Sequence, residues 1–181
     1  MAEAPPPSVP SLRVQRVTDE QWAAYRDVRQ ASLIDSPRAF WTTWAESAAR
    51  SDEDWRRFVA SGPTVWLAWE GDRPVGTVAL WHADEQPDDE VYLVGMWVAG
   101  AARGSGAATS LVSTALDHAA EQGWARVVLD VARENGRAAA FYRRMGFVPT
   151  GETGTMPWDP SCVEERMVRT LTPRSSPSPL A

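Results

Sequence analysis

The sequence predicts a single α+β domain, and three observations carry that reading. Residues 64–98 hold three apolar runs in succession, separated only by the turn-like EGDR and the acidic ADEQPDDE, which is the pattern of an antiparallel meander rather than of repeating strand-helix-strand units. Helical periodicity appears before this block and twice after it, and the last runs return to strand character. The 181 residues are 44% hydrophobic and 23% charged, ordinary values for one folded core.

Each element follows from local pattern. LRVQRV (12–17) alternates as a half-buried strand does, and TDEQ (18–21) has capping-box spacing, so a helix is expected from about Asp19 to Ile34. In 36–50, Ser36 offers an N-cap and Pro37 suits the first helical position, while Phe40, Trp41 and Trp44 recur at helical spacing; a second helix is expected there. SDEDW starts a third at Ser51. TVWLAWEGDRPVGTVALWH (64–82) is a hairpin, and VYLVGMWV (91–98) completes the meander. Leu111, Val112, Ala115, Leu116 and Ala119 keep a helical period up to Gly123, a good stop. WARVVLDV (124–131) reads as a strand and NGRAAAFYRRMG (135–146) as a helix capped by Asn135. FVPTGE starts a strand, GETGTMPWDPS (151–161) reads as a long connection, and CVEERMVRTL (162–171) as the last strand. The Pro/Ser-rich ends, 1–10 and 173–181, read as flexible tails around a domain at 11–172.

Composition narrows the function. A net charge of -6 and a pI near 5.0 disfavour a nucleic-acid partner, which needs a basic face. No apolar run approaches the roughly 20 residues of a membrane span, so a cytoplasmic protein without membrane contact is expected. Cys162, the single cysteine, cannot form an internal disulfide and reads as an inert strand residue. No metal is expected. The 18 Lys/Arg positions are all arginine.

VGMWVAGAARGSGAATS (94–110) carries the chemistry. A strand that runs into a glycine-rich turn and then a helix collects unpaired backbone N–H groups at the positive end of a helix dipole, a place for phosphate. Gly104, Ser105, Gly106, Ala107 and Ala108 keep side chains out of the anion's way, and Arg103 adds charge. A P-loop would need a lysine, which the chain lacks. GSGAAT with Asp130 partly fits a dinucleotide fingerprint, but the third glycine is missing and the preceding strand belongs to the meander.

A third match is closer. MWVAGAARGSGAATSLV resembles the pyrophosphate motif R-x-x-G-x-A of GNAT-type N-acetyltransferases, with Arg103, Gly106 and Ala108 in the defining places, and LDVARENGRAAAFYRRMGF resembles their second motif, with Asn135, Ala138, Tyr142 and Gly146-Phe147. The resemblance covers about residues 12–171. It implies a GNAT fold: a mixed, mostly antiparallel central sheet with helices on both faces and a splayed fourth and fifth strand. It also implies acetyl-CoA as co-substrate, its pantetheine arm along Met96, Trp97 and Val98, with Gly95 easing the opening. The N–H of Met96 would polarise the thioester carbonyl, and Asn135 would both cap its helix and touch the coenzyme.

The implied activity is transfer of an acetyl group to a primary amine of a small molecule or peptide by direct attack in a ternary complex. Transfer of another acyl group such as succinyl, or acyl-CoA binding without chemistry, are the alternatives. Tyr142 stands where the family places a tyrosine near the sulfur, though core packing beside Phe141 would also explain it. Some members carry a glutamate at the position of Tyr92; here Glu90, two residues earlier and on the same strand face, is the carboxylate expected as base, with His82 a weaker rival and His118 a surface residue. Trp41, Trp44 and Asp159, the last with Trp158 on the 151–161 connection, are expected at the acceptor site. Asp84, Glu85, Asp88, Asp89 and Glu90 suggest steering of a cationic amine. A homodimer stays open.

Overall fold

The computed structural model describes residues 11–172; the two expected tails lie outside the described residues. Seven strands form one sheet: β1 (Leu12–Arg16), β2 (Thr64–Glu70), β3 (Arg73–Trp81), β4 (Glu90–Val98), β5 (Arg126–Ala132), β6 (Val148–Met156) and β7 (Asp159–Thr170). Their spatial order is β1-β2-β3-β4-β5-β7-β6, and every neighbouring pair is antiparallel except β4 and β5. Five α-helices connect them: α1 (Trp22–Asp35), α2 (Trp44–Ala48), α3 (Asp52–Ser61), α4 (Ala107–Glu121) and α5 (Gly136–Arg144).

Strand alternation divides the core between the two sheet faces. Trp66 and Ala68 of β2 pack with Leu111, Val112, Ala115 and Ala119 of α4, while Val65 and Leu67 pack with Tyr25 and Val28 of α1 and Trp55 of α3. Trp55 is fully buried, its ring edge-on to Tyr25 at 5.8 Å and to Phe58 at 6.2 Å. Trp55→Ala is therefore expected to cost about 3–5 kcal/mol. Equilibrium urea unfolding checks this; a loss under 1 kcal/mol would mean that this side of the sheet collapses around the gap.

Three expectations need correction. The segment 36–50 is not one helix. A 3-10 turn at Pro37–Ala39 gives way to extended backbone at Phe40, and α2 starts only after Thr43, whose hydroxyl accepts from the Glu46 N–H at 3.3 Å while the Glu46 carboxylate accepts from the Thr43 N–H at 2.7 Å. This reciprocal cap outcompetes Ser36, whose hydroxyl donates to Asp35 instead. The connection at 151–161 is a hairpin joined by Pro157 and Trp158. β6 is an edge strand exposed along nearly its whole length, so it shows no apolar alternation, and an edge position tolerates Pro149. Finally, β4 is both the end of the meander and, through α4 and its parallel pairing with β5, the first strand of a crossover.

Candidate active site

The β4–β5 pairing lasts only from Glu90↔Arg126 to Tyr92↔Val128; beyond it residues 93–98 of β4 have no partner on β5. A bulge bends β4 at that place. Val94 pairs with Ala79 and Trp97 with Thr77, so Gly95 and Met96 stand opposite Val78 alone. Gly95 takes φ +63°, left-handed backbone that glycine accepts at little steric cost.

At the far end of β4 the chain passes through Gly104 (φ +92°) and Gly106 (φ +93°) into α4, with Gly106 as N-cap. A Cβ at either glycine would meet nothing within 4 Å. The bare backbone therefore borders open space, a groove of about 500 Å³. Arg103 lines it, its Nε donating to the Val98 carbonyl at 3.0 Å and its guanidinium paired with Asp35. Asp35 also accepts from Trp97 Nε1 at 2.9 Å, and that bond, with those from Ser36 and Arg103, holds its carboxyl below the usual range. Across the groove α5 contributes Arg137 and Arg144, and its N-cap Asn135 lines the same space, the Asn135 side chain accepting from the Ala138 N–H at 3.1 Å. A phosphate-rich ligand fits this donor set of open amides and three arginines.

A second, larger cavity of about 630 Å³ lies beneath α1 and the 39–42 segment. Its walls are largely aromatic, including Tyr25, Phe40, Trp41, Phe58, Trp81 and Tyr92. Its charged lining is Arg29, Arg50, Asp130 and Glu164. Glu164 is buried on β7, accepts from Trp41 Nε1 at 2.7 Å, and burial, aided by Asp130, pushes its carboxyl above the ordinary value. Tyr92 meets Arg166, which bonds Asp130 at 3.3 Å. Ala39, Phe40, Met96 and Tyr142 line both cavities. The two spaces thus meet at the β4 bulge, beside Tyr142, whose phenol burial pushes well above its ordinary value.

The chain matches the family model described as "Acetyltransferase (GNAT) family" over residues 15–147. It belongs to the GNAT acetyltransferase family. Human N-acetyltransferase 8B is 32% identical over 123 residues, 65% of this chain and 54% of that protein. The mycothiol acetyltransferase of Corynebacterium efficiens is 40% identical over 86 residues, 46% of this chain and 27% of that protein. The chain spans about half the length of the first curated relatives it matches. Among solved structures, a GNAT-family acetyltransferase from Streptococcus pneumoniae superposes with TM-score 0.74 at 18% identity, covering 90% of this chain and all of that one. The yncA protein of Salmonella typhimurium, whose structure holds its cofactor acetyl-CoA, gives TM-score 0.72 at 17% identity over 92% of this chain and 98% of that one. At such identities the likeness speaks for the GNAT fold, which the splayed β4 and β5 of this sheet share.

The GNAT motif residues come together: Met96, Trp97, Val98, Arg103, Gly104, Gly106, Ala108, Asn135 and Tyr142 line the groove. Ser105 and Ala107 sit beside it, the Ser105 hydroxyl lying 3.4 Å from the Ala107 N–H. The acceptor-side expectations fare less well. Trp41 lines the larger cavity, but Trp44 is half-exposed on α2 and outside it. Asp159 begins β7 and is bound by Arg38 at 2.7 Å and by Ser161, away from both cavities.

Glu90 is also away from both cavities. It pairs with Arg126 at 3.5 Å and accepts from Gln86 at 3.3 Å, because the short parallel pairing that ends at Tyr92 locks this end of β4 against β5. None of Asp84, Glu85, Asp88 and Asp89 lines the larger cavity either, and Asp89 is paired with Arg126. His82 is held 3.0 Å from the Glu90 carbonyl and against Trp124; His118 packs on Trp66, with burial lowering its pKa. Sequence reasoning missed Glu164, Arg29 and Arg50 as lining of the larger cavity, and named Asp130 only for the dinucleotide alternative. For Glu164 a signal existed: it occupies the same strand phase as the buried Cys162.

Proposed function

We propose that this protein transfers an acetyl group from acetyl-CoA to a primary amine by direct attack within a ternary complex. The observation that carries the reading is the junction of the groove and the larger cavity at Met96 and Tyr142, which gives a nucleotide thioester and an amine separate approaches to one point. Acetyl-CoA supplies an activated acyl group and a thiol leaving group. The backbone amides of Gly104, Gly106 and Ala108, with Arg103, Arg137 and Arg144, hold its phosphates. The edge of β4 from Met96 to Val98 orients its arm, and the Met96 N–H stabilises negative charge on the carbonyl oxygen. Tyr142 keeps its proton at neutral pH and donates to the departing sulfur. Glu164, rather than the expected Glu90, accepts the proton that the amine must lose, directly or through water.

Pure protein incubated with acetyl-CoA and a panel of amines, with free thiol followed, tests the reading. Because the chain has no lysine, lysine self-acetylation adds no background. Acetyl-CoA should raise the melting temperature while NAD and ATP should not, since only a ligand that binds the native state shifts it. Strong stabilisation by NAD and none by acetyl-CoA would overturn the assignment of the groove.

Gly106→Val isolates the cradle. A β-branched side chain is strained at φ +93°, and its Cβ projects into the open groove, so acetyl-CoA affinity is expected to fall roughly 10- to 100-fold. Isothermal titration reads the change; wild-type affinity in the variant would dispose of the cradle.

A further inference from the structure

Two cations face the larger cavity without a close ion pair; Arg50 acts on the exposed Glu46 and Asp54 carboxylates only from beyond 4.0 Å. Arg29, on α1, is half-buried, stacks on Phe40 with its guanidinium carbon 4.4 Å from the ring centre, and makes one hydrogen bond, 3.5 Å to the Ser32 hydroxyl. Arg50 lies over Trp55 and Phe58 at 5.2 and 5.3 Å. Among the described residues neither has a carboxylate oxygen within 4.0 Å. Acids are in surplus, 24 against 18 arginines, and Arg166, the other arginine that meets a residue of this cavity, is paired with Asp130.

Leaving a partly buried guanidinium unpaired is costly, and a second one nearby adds repulsion. Burial first, and then Arg50 as a like charge, opposes protonation of Arg29, with Tyr25 offsetting part of this. An anion in the cavity would relieve both terms. Glu164 and Asp130 line the same space. The cavity is therefore bipolar, with acids to receive an amine and arginines to receive an acid.

We propose that the acceptor is an amine that also carries a carboxylate, held by Arg29 and Arg50. This rests on the acetyl-transfer reading for the fate of the amine, but not for the binding of the acid. It replaces the expectation of a cationic acceptor, which drew on an acidic turn that reaches the cavity through Ala83 and with none of its carboxylates. Guanidinium groups suit a carboxylate because their N–H fork matches its two oxygens.

The test uses the full-length protein and the pair N-acetylphenylalanine and N-acetylphenethylamine, which differ by the carboxylate alone. Calorimetry with wild type should show the acid binding roughly 10- to 100-fold more tightly, the range for hydrogen bonds to a charged group. Arg29→Met and Arg50→Met keep apolar cover on the rings, so each should erase most of that preference while acetyl-CoA still binds as in wild type, which shows the fold intact. Arg29→Lys should restore part of it.

Equal affinity for the two probes, a preference for the uncharged one, binding of neither at millimolar concentration, or an undiminished preference in both Met variants would each overturn the proposal. Turnover separates the two readings. Phenethylamine acetylated as efficiently as phenylalanine would sink the carboxylate site and leave acetyl transfer standing. Absence of thiol release with every amine would sink acetyl transfer, while the binding comparison would still score the carboxylate site.

Discussion

Tyr142→Phe is expected to lower kcat roughly 100-fold while leaving the affinity for acetyl-CoA within about twofold of wild type. Tyr142 is 8% exposed and its ring packs against Phe141 at 5.4 Å and Phe147 at 5.7 Å. The variant keeps that ring and those contacts and removes only the hydroxyl. Among the described residues no protein group accepts from it, so the melting temperature should barely move.

The size of the effect follows from the acidities. A thiol has a pKa of about 8.5, below that of a phenol at about 10, and burial raises this phenol further. Complete proton transfer to the sulfur is thus uphill, and the gain is that of a hydrogen bond strengthening as charge develops, the range seen when one oxyanion donor is removed. The same shift fixes the pH behaviour. A phenol whose pKa is raised stays protonated through pH 9, so no alkaline loss of activity below about pH 10 should be assignable to Tyr142. Steady-state rates from thiol release decide it: an unchanged kcat in Tyr142→Phe would reduce Tyr142 to a packing residue.

The groove along β4 and α4 was far more legible in the sequence than the larger cavity, and the reason is physical. Phosphate recognition uses backbone, so it needs small residues in one unbroken stretch, and Arg103, Gly104, Gly106 and Ala108 lie within six positions of each other. The splayed strands were legible through the same motif, with Gly95 at the opening. The larger cavity is assembled from α1, the 39–42 segment, β3, β4, β5 and β7, and no local pattern joins Arg29 to Glu164 across 135 positions. Glu90 was chosen by strand phase alone, which is right about the face and blind to the partner strand: Arg126, opposite it in register, decides where that carboxylate goes. The 151–161 stretch, Asp159 with it, was read as a connection because the exposed edge strand β6 looks like a loop when its residues are threonine, glycine and proline, although Asp159 itself begins β7.

Glu164→Gln should lower kcat/KM by roughly 100-fold or more, the range for loss of a positioned general base, and should change the pH profile in a way that a structural role would not. The native carboxyl is pushed up first by burial, with the Trp41 hydrogen bond offsetting part of this and Asp130 adding to it. In wild type, activity should therefore fall with decreasing pH through a value above the ordinary glutamate range of about 4.3. The variant should lack that limb and keep only the slope set by the amine's own ionisation. Stability moves the opposite way. A carboxyl whose folded pKa lies above its unfolded one favours the native state while protonated, and that contribution is lost as pH rises through the folded value. Glutamine cannot ionise, and its carbonyl can still accept from Trp41 Nε1, so Glu164→Gln should melt at or above wild type at pH 8 and show no such advantage at pH 4. Glu90→Gln is the contrasting variant. It disturbs only the pairing with Arg126 and the Gln86 bond, and its kcat/KM should stay within about threefold. A loss in Glu90→Gln that equals or exceeds the loss in Glu164→Gln would return the base to β4, and an acid limb that survives in Glu164→Gln would assign the titration to another group.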